Sequence, residues 1–143
     1  MTRLIHKRIV LVLPPARIPA IVQCMTPVND AVGAYGERIA ALYLLDQGMQ
    51  LLDRNWRGPA GEVDIIAKDG DALVFCEVKT RRSIRFGHPA EAVLPAKARR
   101  IRRLATQWLA ASGGPAPAVR FDVVSVCPQP AGPAKVEHLR GAF

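Results

Sequence analysis

Asp64 and, after twelve intervening residues, Glu77-Val78-Lys79 are the side chains in this sequence whose types and spacing suit chemistry. Two carboxylates and an ammonium at one strand end fit metal-assisted phosphodiester hydrolysis. Mg2+ prefers oxygen ligands and commonly takes one or two carboxylates, leaving the rest to water and substrate phosphate. Mn2+ serves the same donors. The ion polarises the phosphoryl oxygen and lowers the pKa of a bound water, while Lys79 orients that water or meets charge developing on the phosphate. The plainer reading is a Glu-Lys pair on a polar strand face, worth about 0–1 kcal/mol. Three neighbours favour the site: a partner acid on the adjoining strand, a partly apolar face around it, and the basic Arg81-Arg82 that follows.

The element that must position these groups is a hairpin over residues 61–82, GEVDIIAKDGDALVFCEVKTRR. Asp-Gly between two runs rich in Val, Ile and Phe is a strong hairpin signal, because a type I′ turn needs positive φ at both central residues. It predicts strands over 62–68 and 71–81. With Asp69-Gly70 as a two-residue loop, Lys68 faces Asp71, Ile66 faces Leu73, Asp64 faces Phe75 and Glu62 faces Glu77. Val63, Ile65, Ala67, Val74, Cys76 and Val78 then form an apolar core face. The other face carries Ile66, Leu73 and Phe75 near the turn and Asp64, Glu77 and Lys79 at the open end. In that register Asp64 and Glu77 are diagonal neighbours, roughly 7–8 Å apart. Lys79, two residues past Glu77, points the same way. A pairing of Asp64 with Cys76 would break the geometry.

Around the hairpin, Val32, Tyr35, Ile39, Ala40, Tyr43 and Leu44 recur at helical spacing, predicting a helix over 30–47 capped by Asn29 or Asp30 and stopped by Gly48. A strand over 50–56 and a turn at 57–61 lead into the hairpin. Residues 82–90, with Gly87 and Pro89, read as a basic loop able to follow a ligand. A second helix over 95–112 starts on Pro95, which suits a first turn. Its apolar stripe is Ile101, Leu104, Ala105, Trp108 and Leu109, with Lys97, Arg100, Arg103 and Gln107 on the opposite side and Gly113-Gly114-Pro115 as its end. A strand over 119–127, a proline-rich loop and a short strand over 136–139 follow, the first of these by a parallel crossover. The order is α-β-β-β-α-β-β, an α/β fold with a mixed sheet of about five strands and helices packed on it.

The chain has 143 residues, half of them apolar and 22% charged, which suits one domain with a real core. A net charge of +8 and a pI near 10.1 favour an anionic partner such as nucleic acid or an acidic membrane surface. Half of that excess sits in residues 1–24, which carry Arg3, Lys7, Arg8 and Arg17 and no acid. This stretch reads as a disordered or loosely held extension before a domain over 25–143, with Met25 as an alternative start. Its apolar run, residues 9–13, is too short and too soon followed by Pro14-Pro15 for a signal peptide. A spanning helix needs about 20 apolar residues, and the sequence offers no such run. The remaining charge is polarised, with Lys79, Arg81, Arg82 and Arg85 followed by Lys97, Arg99, Arg100, Arg102 and Arg103. Cys24, Cys76 and Cys127 have no CxxC spacing, so neither a disulfide framework nor a zinc site is expected and a reducing, cytoplasmic compartment is the default. His6, His88 and His138 are scattered, as structural or solvent-facing residues are.

Asp64 with Glu77-Val78-Lys79 in this order of elements resembles the PD-(D/E)XK nucleases, whose fold is the restriction-endonuclease-like three-layer α/β fold. Gly36-Glu37 with Ala40-Ala41, Asn55-Trp56-Arg57, GEVDIIA, VFCEVKTRR, Phe86-Gly87, Glu91-Ala92-Val93, RFDVVSV and the terminal Ala142-Phe143 look like the YraN-type family. That bacterial family is uncharacterised, usually regarded as nuclease-like and distantly similar to archaeal Holliday junction resolvases. The match covers residues 33–143. The resemblance implies that Asp64 and Glu77 are metal ligands, Lys79 the catalytic lysine and Glu37 an additional acid near the metal. Val63 stands where a proline usually precedes the first acid. Arg81, Arg82, Lys97, Arg100 and Arg103 would contact phosphates, largely without sequence readout. The expected function is a Mg2+-dependent endonuclease acting on DNA, branched or otherwise structured, without a membrane partner; related nucleases often work as dimers. The alternatives are a nucleic-acid-binding module that kept the fold without the chemistry, as a partner in repair, recombination or uptake, and an interaction scaffold.

Overall fold

Apolar residues at helical spacing build the first helix, α1 (Ala31–Asp46), and the left-handed Gly48 (φ 86°) ends it as expected. The computed structural model describes residues 31–81, 95–112 and 118–143. The N-terminal extension, the Asn29/Asp30 cap, the basic loop with Arg82 and the Gly113-Gly114-Pro115 stop lie outside the described residues. Strands β1 (Gln50–Gly58), β2 (Gly61–Asp69) and β3 (Ala72–Thr80) follow, then helix α2 (Pro95–Ser112), β4 (Ala118–Cys127) and β5 (Lys135–Leu139). The strands form one five-stranded sheet in the order β1-β2-β3-β4-β5. β3 and β4 are parallel and every other pair is antiparallel, so the sheet is mixed.

Each helix covers one face of the sheet, giving three layers. Ala40, Ala41, Tyr43 and Leu44 of α1 pack on Ile65, Ala67, Val74, Cys76, Val124, Val126 and Val136. Ile101, Leu104 and Ala105 of α2 pack on Ile66, Leu73 and Phe75. Full burial of a large apolar side chain such as Phe75 or Leu104 is worth about 1.5–3 kcal/mol, so the central hairpin is held from both sides. The hairpin therefore has two apolar faces near its turn, as its composition implies.

Its register differs from expectation. Asp69 pairs with Ala72, Lys68 with Leu73, Ile66 with Phe75 and Ile65 with Cys76. The two-residue turn is Gly70-Asp71, with positive φ at Gly70 (58°), rather than Asp69-Gly70. The pairing slides by two residues, so the side chains between Ile65 and Cys76 keep their faces. Asp64 consequently comes level with Glu77 instead of lying diagonal to it, and Glu62 pairs with Arg57 of β1.

Alternation along β2 breaks at Asp64. Ile65 packs under α1, whereas Val63, expected beside it, belongs to the cluster under α2 with Trp56. Across from this point, between the Arg54–Ile65 and Trp56–Val63 pairs, Asn55 takes a left-handed φ of 50°. Asparagine is among the few non-glycine residues that tolerate this conformation. The local twist turns the Asp64 end of the hairpin out of the regular ladder.

Candidate functional site

Because β2 and β3 pair regularly only as far as Ile65–Cys76, the next residues separate and a side chain takes over from the ladder. Asp64 Oδ2 accepts a hydrogen bond from Val78 N at 2.8 Å. This anchors the carboxylate beside the end of β3, where Glu77, Lys79 and Thr80 follow. α1 comes up against the same end through Gly36, where a Cβ would lie 1.8 Å from Thr80 Oγ1. Only glycine permits that approach, and the next residue of the helix is Glu37. Glu37, Asp64, Glu77 and Lys79 thus line one cleft of about 300 Å³, together with Val32 and Gly33.

α2 closes the site from the other face. Trp108 Nε1 donates to Asp53 Oδ2 of β1 at 3.4 Å, and Gln107 Oε1 accepts from Ala60 N in the β1–β2 turn at 3.2 Å. With α2 fixed there, its first turn lies over Glu77, and Lys97 Nζ donates to Glu77 Oε1. Lys79 Nζ pairs with the same oxygen at 3.2 Å. Glu77 is 7% exposed, so both contacts are poorly screened.

These charges act on one another. Burial raises the Asp64 carboxyl to about 7, and the neighbouring charges of Glu77 and Glu37 add to it against the Val78 N–H and Lys97. Burial lowers Lys79 below the usual lysine range, and the Lys97 ammonium beside it does the same. Burial works against Lys97 as well, but its hydrogen bond to Glu77 and the charges of Glu77 and Asp64 outweigh it and raise it. The centre therefore sets the buried, raised Asp64 carboxyl beside the charge of Glu77, a crowding that a divalent cation relieves. The donors are hard oxygens of the kind Mg2+ and Mn2+ take. Glu37 lines the cleft but does not complete a cluster: among the described residues, no three His, Cys, Asp or Glu side chains converge as a metal centre.

Two of the helical residues expected on a solvated basic face lie elsewhere. Lys97 and Gln107 are half-buried and turned toward the sheet, while Arg99, Arg100, Arg102 and Arg103 are exposed. The reason is visible in the spacing, since Lys97 precedes Ile101 by four residues and extends the stripe Ile101, Leu104, Trp108 by one turn. Arg100 lies along the β1–β2 turn, with Cδ 3.5 Å from where a Cβ on Gly61 would be. Arg102 sits 5.8 Å over the Phe121 ring. Arg81 follows β3 and donates its N–H to Val126 O at 2.8 Å. None of these arginines lines the cleft.

A second acid, absent from the expected site, is more deeply placed. Asp122 on β4 is 0% exposed. Arg120 donates to it through Nε (2.9 Å) and a terminal nitrogen (3.0 Å), His138 through Nε2 (2.7 Å), and Gly141 through its backbone N (3.0 Å). Burial alone would raise this carboxyl, but these donors outweigh it and hold it below the usual carboxylate range. The sequence signal was an Arg-x-Asp pair on one face of an otherwise apolar strand, Arg120-Phe121-Asp122. His138 is structural, as its isolation in sequence implied, and its ring meets Tyr43 edge-on at 5.5 Å.

The pattern of the uncharacterised protein family UPF0102 matches residues 36–126, from Gly36 at the helix–strand contact to Val126 of β4. A UPF0102 protein of Beutenbergia cavernae is 56% identical over 113 residues, covering 79% of this chain and 96% of its own length. One from Frankia alni is 56% identical over 115 residues (80% and 96%), and one from Streptomyces griseus subsp. griseus is 57% identical over 114 residues (79% and 96%). The chain belongs to UPF0102, the YraN-type family whose motifs it carries. Among the described residues, no helix is long and apolar enough to cross a membrane.

Proposed function

We propose that this protein is a metal-dependent endonuclease that hydrolyses phosphodiester bonds in DNA, using Mg2+ or Mn2+ held by Asp64 and Glu77. The observation that carries the reading is the cleft in which Asp64, raised to about 7, stands level with the buried Glu77 and beside Lys79. A bound divalent ion would supply Lewis-acid activation of the phosphate and of a water. The protein's own groups do the rest. Asp64, fixed by the Val78 N–H, and Glu77 hold the cation, with Glu37 on the rim as an outer acid. Lys79 orients the attacking water or meets charge developing on the phosphate. Arg100 and Arg103, exposed on α2, together with Arg81 and Arg82, hold the flanking backbone by charge, without sequence readout. Branched and otherwise structured DNA are the first substrates to try, on the resemblance to Holliday junction resolvases.

The test is a panel of plasmid, single-stranded and branched DNA incubated with Mg2+ or Mn2+. Cleavage is expected, with Glu77→Ala and Lys79→Ala each reducing it by roughly 10²-fold or more. No cleavage of any substrate, or equal cleavage by the variants, overturns the reading. The ion pairs that Glu77 makes with Lys79 and Lys97 favour one alternative, a nucleic-acid-binding module with a purely structural cluster. That module binds DNA in a salt-dependent but metal-independent way.

A further inference from the structure

Two ammoniums converge on one carboxylate oxygen in this cleft, and they are not equivalent. Lys79 sits on β3 two residues from Glu77 and on the same face, so its contact at 3.2 Å lies within one strand. Lys97 arrives from another layer, on the first turn of α2, and reaches the same Oε1 across the interface between helix and sheet. Lys97 stands four residues before Ile101, one turn ahead of the apolar stripe of α2, and its side chain is 24% exposed. A flexible four-carbon stem of this kind can withdraw toward solvent without disturbing the packing beneath it. Lys97 also acts on both acids, since it bonds Glu77 and its charge bears on Asp64. Its ammonium therefore does electrostatically what a cation shared by the two carboxylates would do. Lys79 and Lys97 lie close enough to perturb each other. A divalent ion added between the acids would bring a third positive centre into the same space, and Lys97, the ammonium that acts on both carboxylates, is the one it replaces.

We infer that Lys97 is a displaceable internal cation, which neutralises Glu77 in the metal-free protein and, once a divalent ion takes the carboxylates, swings out to bind a backbone phosphate of nucleic acid. The inference rests on the reading of the cleft as a divalent-cation site. It makes metal loading and nucleic-acid binding cooperative, because the ion releases a positive charge that the phosphate then receives. Lys97 would thus be a positioning residue with two alternative anionic partners, and its removal has opposite effects on the two ligands.

The experiment titrates the full-length chain with Mn2+ by calorimetry, comparing wild type with Lys97→Met, Lys97→Gln and Lys97→Arg. Thermal melts check that each is folded, and two neutral replacements are included so that a packing defect in one does not decide the result. The neutral variants should bind Mn2+ about tenfold more tightly, the order expected for removing one partly buried competing charge, while Lys97→Arg stays near wild type. In DNA-binding titrations over a range of salt, the neutral variants should lose about one unit of salt slope in the presence of Mn2+ and none without it. If wild type binds Mn2+ and the neutral variants bind it no more tightly, Lys97 is not a competitor and this inference falls while the cation site stands. A slope change that is the same with and without Mn2+ also overturns the inference. If no folded variant binds Mn2+, the cation reading fails and takes the inference with it.

Discussion

Asp64 on β2 and Asp122 on β4 are both acids set into apolar strands, and the fold moves them in opposite directions. Burial pushes each carboxyl upward, so the difference lies in the partners. Asp122 receives two guanidinium N–H groups, an imidazole and a backbone N–H, and ends below the usual range. Asp64 receives the Val78 N–H and faces the charges of Glu77 and Glu37, and ends near 7. The Asp122 network also ties in the chain end: Gly141 donates to Asp122, Ala142 donates to Phe121 O at 2.8 Å, and Phe143 stacks on Phe121 at 5.3 Å. One acid is compensated wholly by the protein and fastens three segments together. The other is left in a cleft with its charge partly uncompensated, the condition under which a ligand contributes most.

The comparison is broken most strongly at Asp122. Asp122→Asn strips the charge from between Arg120 and His138, and breaking a buried ion pair from one side costs about 3–5 kcal/mol. Urea unfolding should show that loss; a change below about 1 kcal/mol would mean the network is as dispensable as a surface pair.

Asp64→Asn should act in the opposite sense. Asparagine keeps an acceptor for the Val78 N–H and removes the like charge, so the metal-free protein at pH 8 gains about 1–3 kcal/mol. The pH dependence follows the same signs. The folded state holds the Asp64 proton up to about 7 while the unfolded chain releases it near the usual carboxylate value, so this group's contribution to stability is full at low pH and is lost as pH rises toward and through 7. For Asp122 the folded value is depressed, so its contribution is present at neutral pH and is lost as pH falls through the acid range. Melting temperatures measured with chelator from pH 3 to 9 should fall at both ends, and Asp64→Asn should flatten only the upper limb. An unchanged upper limb would contradict the assignment.

The smallest expected effect tests how Glu37 comes to press on Asp64. In Gly36→Ala the new methyl meets Thr80 Oγ1, forcing α1 away from β3 at a cost of about 1–2 kcal/mol, despite alanine's better helix propensity. Thr80→Ala in the same chain should recover most of it. As Glu37 withdraws, the titration of Asp64, followed by NMR of its carboxyl carbon, should move downward.

Much of the fold was legible from periodicity. The positions of Ile101, Leu104, Ala105, Trp108 and Leu109 specified α2 and its buried face, and alternation placed Asp64, Glu77 and Lys79 away from Ile65 and Val74. The turn falls one residue later than Asp69-Gly70 because that pair and Gly70-Asp71 are both chemically acceptable, and side-chain packing rather than turn preference sets the register. Lys97 lies off the exposed face that its charge suggests. Its position four residues before Ile101 puts it on the apolar stripe, and only a buried partner such as Glu77 makes that position tolerable for an ammonium.

By itself the sequence determined the elements, their order, the shared side of the strands for Asp64, Glu77 and Lys79, and the membership of UPF0102. These follow from local spacing and residue type, which act over a few neighbours along the chain. Tertiary structure decided that Asp64 stands level with Glu77, that Gly36 brings Glu37 to the cleft, that Lys97 crosses from the helix layer to Glu77, and that Asp122 rather than Asp64 is the satisfied acid. Each of these depends on which distant groups share a small volume, and there burial and partner charge, not residue type, set how a carboxylate behaves.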